Sequence, residues 1–173
     1  ALFAERVGKY FADDELSVVE GDVGVAQEFS RLPFDHLLFT GSTAVGRQVM
    51  RAAADNLTPV TLELGGKSPA IIGPGLSTAQ FAHAVERIII GKSMNAGQTC
   101  IAPDYVLLPA GQEQAFIDVA RRVVGDCYPD IERTADYTTI VDQRQYARLC
   151  AYLDEARAAG ARAAAARRAP GGA

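Results

Sequence analysis

Cys100 is the residue whose type and setting most directly suggest chemistry. It stands in the stretch NAGQTCIAPDYV, residues 95–106, behind Gly97, Gln98 and Thr99, which lack the bulk to bury it. A free cysteine is commonly a small buried hydrophobe, and Cys127 and Cys150 are read that way. Cys100 differs because the loop between a helix end and a strand start is where α/β proteins keep reactive groups. A thiolate there can attack a carbonyl carbon. A cysteine hydrolase would pair the thiol with an imidazole, but the two histidines, His36 in a strand and His83 in an amphipathic helix, sit within regular elements and are read as structural.

A carboxylate is the other candidate reagent. The run VTLELGGK, residues 60–67, sets Glu63 as one charge in an apolar strand ahead of two glycines. It is either an edge-strand residue facing solvent, or a partly desolvated carboxylate whose raised pKa lets it take a proton from water. Gly65 and Gly66 would let backbone or ligand approach closely. A third segment, FTGSTAVG at residues 39–46, is a glycine turn between a strand and a helix start, where free amides and the positive end of the helix suit a phosphate. The alternative is a tight turn that serves packing alone. The spacing of Gly41 and Gly46 matches the first part of a P-loop, but Arg47 and Gln48 follow where lysine and a hydroxyl are needed, so nucleotide hydrolysis is not expected.

The elements that must position these residues alternate. Residues 2–11 have helical spacing, Leu16 to Val19 form a short strand candidate, and Gly24 to Leu32 a helix stopped by Pro33. A short apolar run at His36–Thr40 precedes a helix in which Val45, Val49, Met50, Ala53 and Leu57 share one face. Strands follow at Val60–Leu64 and Ala70–Ile72. Ser77 caps a long helix to about Met94 that buries Phe81, Val85, Ile88 and Ile89, and Asn95 and Gly97 stop it. A strand at Asp104–Leu108 and helices at Gln112–Val124 and Gln143–Ala159 complete the pattern. Such alternation means an α/β fold of parallel strands with crossover helices.

The composition narrows the function classes. With 49% hydrophobic and 22% charged residues the chain is an ordinary globular one, and its net charge of -4 offers no nucleic-acid footprint. No apolar run approaches the length needed to span a membrane, and no secretory signal is expected, since no charged n-region followed by an apolar h-region can be read. Three widely spaced cysteines without a CxxC or a histidine cluster argue against a disulfide framework and a metal site, and favour a reducing compartment, the cytoplasm. The first residue is Ala1, and the chain is expected to start within a longer protein.

Together, and in this order, FTGSTAVG, LELGGKSP and NAGQTCIAPDYV resemble the aldehyde dehydrogenase superfamily, over residues 1 to about 160. RLPFDHLLFTGST and QTCIAPDYVLLP look most like its coniferyl aldehyde dehydrogenase branch and the class 3 relatives. The resemblance implies residues 1–62 as the C-terminal half of a Rossmann-like NAD(P)-binding domain and 63–173 as the N-terminal part of a catalytic domain, with 161–173 a disordered tail. It implies a Cys100 thiohemiacetal that becomes a thioester, Glu63 as the base that activates water, and the Cys100 amide as half of an oxyanion hole. NAD or NADP would lie with its pyrophosphate by the turn from Gly41 to Gly46, nearest Ser42 and Val45, and its nicotinamide toward Thr40 and Leu64. The substrate would be a small aldehyde, coniferyl or another aromatic one, and the full-length protein a homo-oligomer, a dimer. The family's oxyanion-hole asparagine, its downstream glutamate and its oligomerisation segment are not in this sequence, so the chain alone is expected to be inactive. A CoA-acylating dehydrogenase, a cofactor-independent cysteine hydrolase and a non-catalytic fragment are the alternatives.

Overall fold

The computed structural model describes residues 2–164. They fall into two compact units, Ala1–Gly65 and Gly66–Ala173, each built on one pair of parallel strands. The expected α/β class with parallel strands is what the chain adopts.

In the first unit, helices α1 (Leu2–Val7) and α2 (Val23–Phe29) precede strand β1 (Leu37–Gly41), helix α3 (Thr43–Ala54) and strand β2 (Val60–Leu64). Parallel strands cannot be joined by a tight turn, and α3 is the crossover between β1 and β2. The ladder sets Leu37 opposite Val60 and Thr40 opposite Glu63. Ser42 starts α3 because its Oγ accepts the Val45 amide at 3.3 Å. A Cβ on Gly46 would stand 2.9 Å from Leu64 Cδ2 and 3.6 Å from the Phe39 ring, so a glycine here lets the helix lie close on the sheet. Ala53 of α3 and Leu37 of β1 are buried.

Several expected elements differ. Residues 16–19 form no strand: extended backbone needs a partner to satisfy its amides, and among the described residues the sheet of this unit consists of β1 and β2. The preceding segment turns instead, with the Ser17 hydroxyl donating to the Asp13 carbonyl. Helix α1 stops at Val7, leaving Tyr10 and Phe11 exposed. Asp22 caps α2 by accepting from Gly24 at 2.9 Å and Val25 at 3.2 Å, and the helix ends at Phe29, short of the expected Leu32. Leu57 does not continue the buried face of α3. It lies past the helix end with φ of 56°, 89% exposed.

The second unit holds β3 (Ser68–Ile71), α4 (Thr78–Ser93), a 3-10 turn (Met94–Gly97), β4 (Pro103–Leu107), α5 (Glu113–Cys127) and α6 (Gln143–Ala158). Strands β3 and β4 pair in parallel, and the register steps over Asp104, with Ser68 opposite Pro103 and Pro69 opposite Tyr105. An irregularity of that kind tolerates the missing amide of Pro69. Ser77 caps α4 as the sequence predicts and makes a capping box, its amide donating to Gln80 Oε1 at 2.9 Å. The core joins Ile72, Phe81 and Val85 with Ile88, Ile89, Val106, Phe116 and Val119. Burial of Val85, which is fully inaccessible, is worth about 1.5–3 kcal/mol.

Cys127 and Cys150 are not the buried hydrophobes expected: Cys127 is exposed at the last position of α5, and Cys150 is half-buried on α6, a helix that buries no residue. Residues 161–164 are exposed and form no helix or strand, and 165–173 lie outside the described residues.

Candidate active site

Cys100 is exposed, as its small neighbours predict. The chain reaches it through three consecutive left-handed residues, Asn95 (φ 50°), Ala96 (φ 54°) and Gly97 (φ 73°). For the two with a Cβ this conformation costs about 1–3 kcal/mol each, a cost typically tolerated where a loop must aim a functional group. At Gly97 a Cβ would lie 3.1 Å from the Lys92 carbonyl oxygen, so a side chain would also be crowded there.

Three features hold the loop. A Cβ on Gly66 would stand 2.5 Å from the Cys100 carbonyl oxygen, so Gly66 lies against the cysteine backbone. Lys67 Nζ pairs with Asp104 at 3.2 Å, tying the start of β3 to the start of β4. Gln98 donates through Nε2 to the carbonyls of Asn95 (3.0 Å) and Thr139 (3.1 Å), and its Oε1 accepts the Val141 amide at 2.9 Å. The close approach at Gly66 is legible from two adjacent glycines after a strand. The bridging role of Gln98 is not, because its partners lie some forty residues on in a segment without periodic pattern.

In the first unit Glu63 is exposed on β2. Side chains at paired positions of a parallel ladder share a face, so Glu63 lies beside Thr40, and Thr61 beside Leu38. Glu63 thus faces solvent from β2. His36 Nε2 lies 2.9 Å from Thr61 Oγ1, which gives that imidazole a local structural partner.

The opposite face of the same sheet meets α3. Ser42 Oγ serves the Val45 amide and the Ser42 carbonyl serves Gly46, which leaves the amides of Thr43 and Ala44 as the first-turn donors without an intrahelical acceptor. Beside this helix start is a groove of about 1060 Å³, walled by Val25 and Phe29 of α2, Leu38 of β1, and Val45 and Val49 of α3. Sequence reasoning found the turn and the helix that became α2 but not the groove, because nothing in the pattern shows that α2 and α3 wall a common space. Among the described residues no group of three or more His, Cys, Asp or Glu could hold a metal ion, and no helix is long and apolar enough to cross a membrane.

Comparison with known proteins gives these residues a context. The aldehyde dehydrogenase family model matches residues 5–172. A probable coniferyl aldehyde dehydrogenase of Pseudomonas aeruginosa is 52% identical over 160 residues, which cover 92% of this chain and 33% of that protein. The substrate-bound structure of AldH from Staphylococcus aureus superposes with a TM-score of 0.79 at 37% identity, over 91% of this chain and 34% of that one. An aldehyde dehydrogenase of Mycobacterium tuberculosis in complex with NAD+ gives 0.77 at 31% identity, over 98% of this chain and 36% of that one. The chain thus spans about a third of the length of these relatives.

Proposed function

We propose, from the premise that the chain belongs to the aldehyde dehydrogenase family, that it carries the nucleophile and the general base of an enzyme that oxidises an aldehyde to a carboxylic acid. The observation that carries this reading is the exposed Cys100, aimed by a strained left-handed turn and backed by the Gly66 contact.

A nicotinamide cofactor fits the first unit. The apolar groove between α2 and α3 suits a flat base, and the Thr43 and Ala44 amides at the head of α3 suit a pyrophosphate. Ser42, Val45 and the turn from Gly41 to Gly46 would hold that part, with Thr40 and Leu64 toward the nicotinamide. When bound, NAD or NADP supplies the hydride acceptor.

Cys100 Sγ attacks the aldehyde carbon and forms a thiohemiacetal, whose developing oxyanion takes a hydrogen bond from the Cys100 amide. After oxidation the acyl group remains on sulfur as a thioester. Glu63, open to water, takes a proton from a water molecule as that water attacks the thioester, which releases the acid and the free thiol. Residues 1–62 then serve as the C-terminal half of the cofactor domain and 63–173 as the start of the catalytic domain. The relative named for coniferyl aldehyde supports an aromatic aldehyde as substrate. The enzyme acts in the cytoplasm as a homodimer, and activity belongs to a longer chain than these 173 residues. A CoA-acylating reading has no use for a base at Glu63.

The test is Cys100→Ser in the full-length protein. Aldehyde-dependent NAD(P)H formation falls by at least about 10³-fold, the scale for loss of a covalent nucleophile. Unimpaired turnover would refute the assignment.

A further inference from the structure

The loop that presents Cys100 is closed on itself and anchored at a distance by one side chain. The Gln98 amide N–H and Nε2 both donate to the Asn95 carbonyl at 3.0 Å, and Asn95 Nδ2 donates back to the Gln98 carbonyl at 3.3 Å. Nε2 also donates to the Thr139 carbonyl at 3.1 Å, while Oε1 accepts the Val141 amide at 2.9 Å. The primary amide of Gln98 therefore offers a donor and an acceptor to an extended segment as a neighbouring strand would. Two of its partners belong to residues 139–141, directly ahead of Asp142, whose Oδ1 caps α6 by accepting from Gln145 at 2.7 Å. The left-handed conformations of Asn95 and Ala96 have to be held against their own preference, and Gln98 is the residue whose bonds close that turn.

We infer that Gln98 is a positioning residue for the Cys100 nucleophile, tying the cysteine turn to the Thr139–Val141 segment so that the thiol is held in the geometry for attack. The inference rests on Cys100 being the nucleophile. Only a side chain with both a donor and an acceptor, of glutamine's length, can meet Asn95, Thr139 and Val141 at once. Glutamate keeps an acceptor for Val141 but sets an oxygen against two carbonyls. Methionine keeps the bulk and loses the three side-chain bonds.

Gln98→Met and Gln98→Glu in the full-length protein test this. Misplacing a reacting atom by about 1 Å costs on the order of 10²-fold. Gln98→Met is therefore expected to lower kcat by 10- to 100-fold, with the cofactor KM within threefold of wild type, and Gln98→Glu is expected to fall between. Amide hydrogen exchange at Val141 quickens in Gln98→Met, which has no oxygen to accept that N–H. The rate of iodoacetamide labelling at Cys100 changes at least threefold while that at Cys127 stays constant, a contrast that general destabilisation would not give. Wild-type kcat together with wild-type Cys100 labelling in either folded variant overturns the inference. Should Gln98→Met fail to fold, Gln98→Glu decides alone, and should both fail, Val141→Pro, which removes the donated N–H from the other side, replaces them with the same expected losses. If Cys100→Ser retains turnover, the nucleophile assignment has failed. If Cys100→Ser is dead and the Gln98 variants are normal, only the positioning role has failed.

Discussion

A methyl group on Gly66 would stand 2.5 Å from the Cys100 carbonyl oxygen, and the obstacle is backbone, which cannot swing aside. Gly66 lies between β2 and β3, so Gly66→Ala leaves both ladders intact while displacing the cysteine. Its kcat should fall on the order of 10²-fold with a near-normal circular dichroism spectrum. Wild-type turnover would show that the contact does not set the nucleophile's position. At this scale much was legible. Small neighbours announced the exposure of Cys100, and paired glycines announced a close approach. What the sequence could not supply was the partner of each contact. Gln98 reads as one more polar loop residue until residues 139–141 are brought to it. The alternation of β2 was legible as well, with Val60, Leu62 and Leu64 half-buried and Thr61 and Glu63 exposed.

Among the elements, those with both a periodic apolar face and a chemical start signal came through best. Helix α4 combines the Ser77 cap with Phe81 and Val85 one turn apart, and it forms over Thr78–Ser93. Strand β2 occupies the expected residues, Val60–Leu64. The run from Leu16 to Val19 carries strand-forming residues but finds no ladder, since β-propensity reflects a packed, paired surface rather than a backbone preference. The end of α3 misled for another reason: Leu57 fits the helical period, but the chain has already turned, with the Thr58 amide donating to the Ala53 carbonyl at 3.1 Å. Leu57 occupies the left-handed position that closes such helix ends and that glycine fills at less cost. It buries almost nothing, so Leu57→Gly should raise stability by about 0.5–1 kcal/mol, the relief of left-handed strain less the added chain entropy of glycine. Thermal or urea unfolding checks this, and a destabilised variant would mean that the leucine side chain has a partner.

At the scale of the whole molecule, the two residues with proposed roles fall in different units of the chain, Glu63 in Ala1–Gly65 and Cys100 in Gly66–Ala173. That division follows from two parallel-strand assemblies in succession, an organisation visible in the alternating pattern, whereas the outer walls of the groove were not. It also separates the two halves of the chemistry experimentally: sulfur is needed for the covalent step, and the carboxylate only for release. Glu63→Gln, which keeps size and removes the proton acceptor, should therefore arrest the enzyme after acylation. The decisive measurement is intact-peptide mass spectrometry of the full-length Glu63→Gln protein after brief exposure to an aromatic aldehyde and NAD+. The account predicts the mass of the corresponding acyl group on the peptide bearing Cys100, and none on those bearing Cys127 or Cys150. An unmodified Cys100 in a protein that still consumes aldehyde, or an acyl group on a different residue, would contradict it.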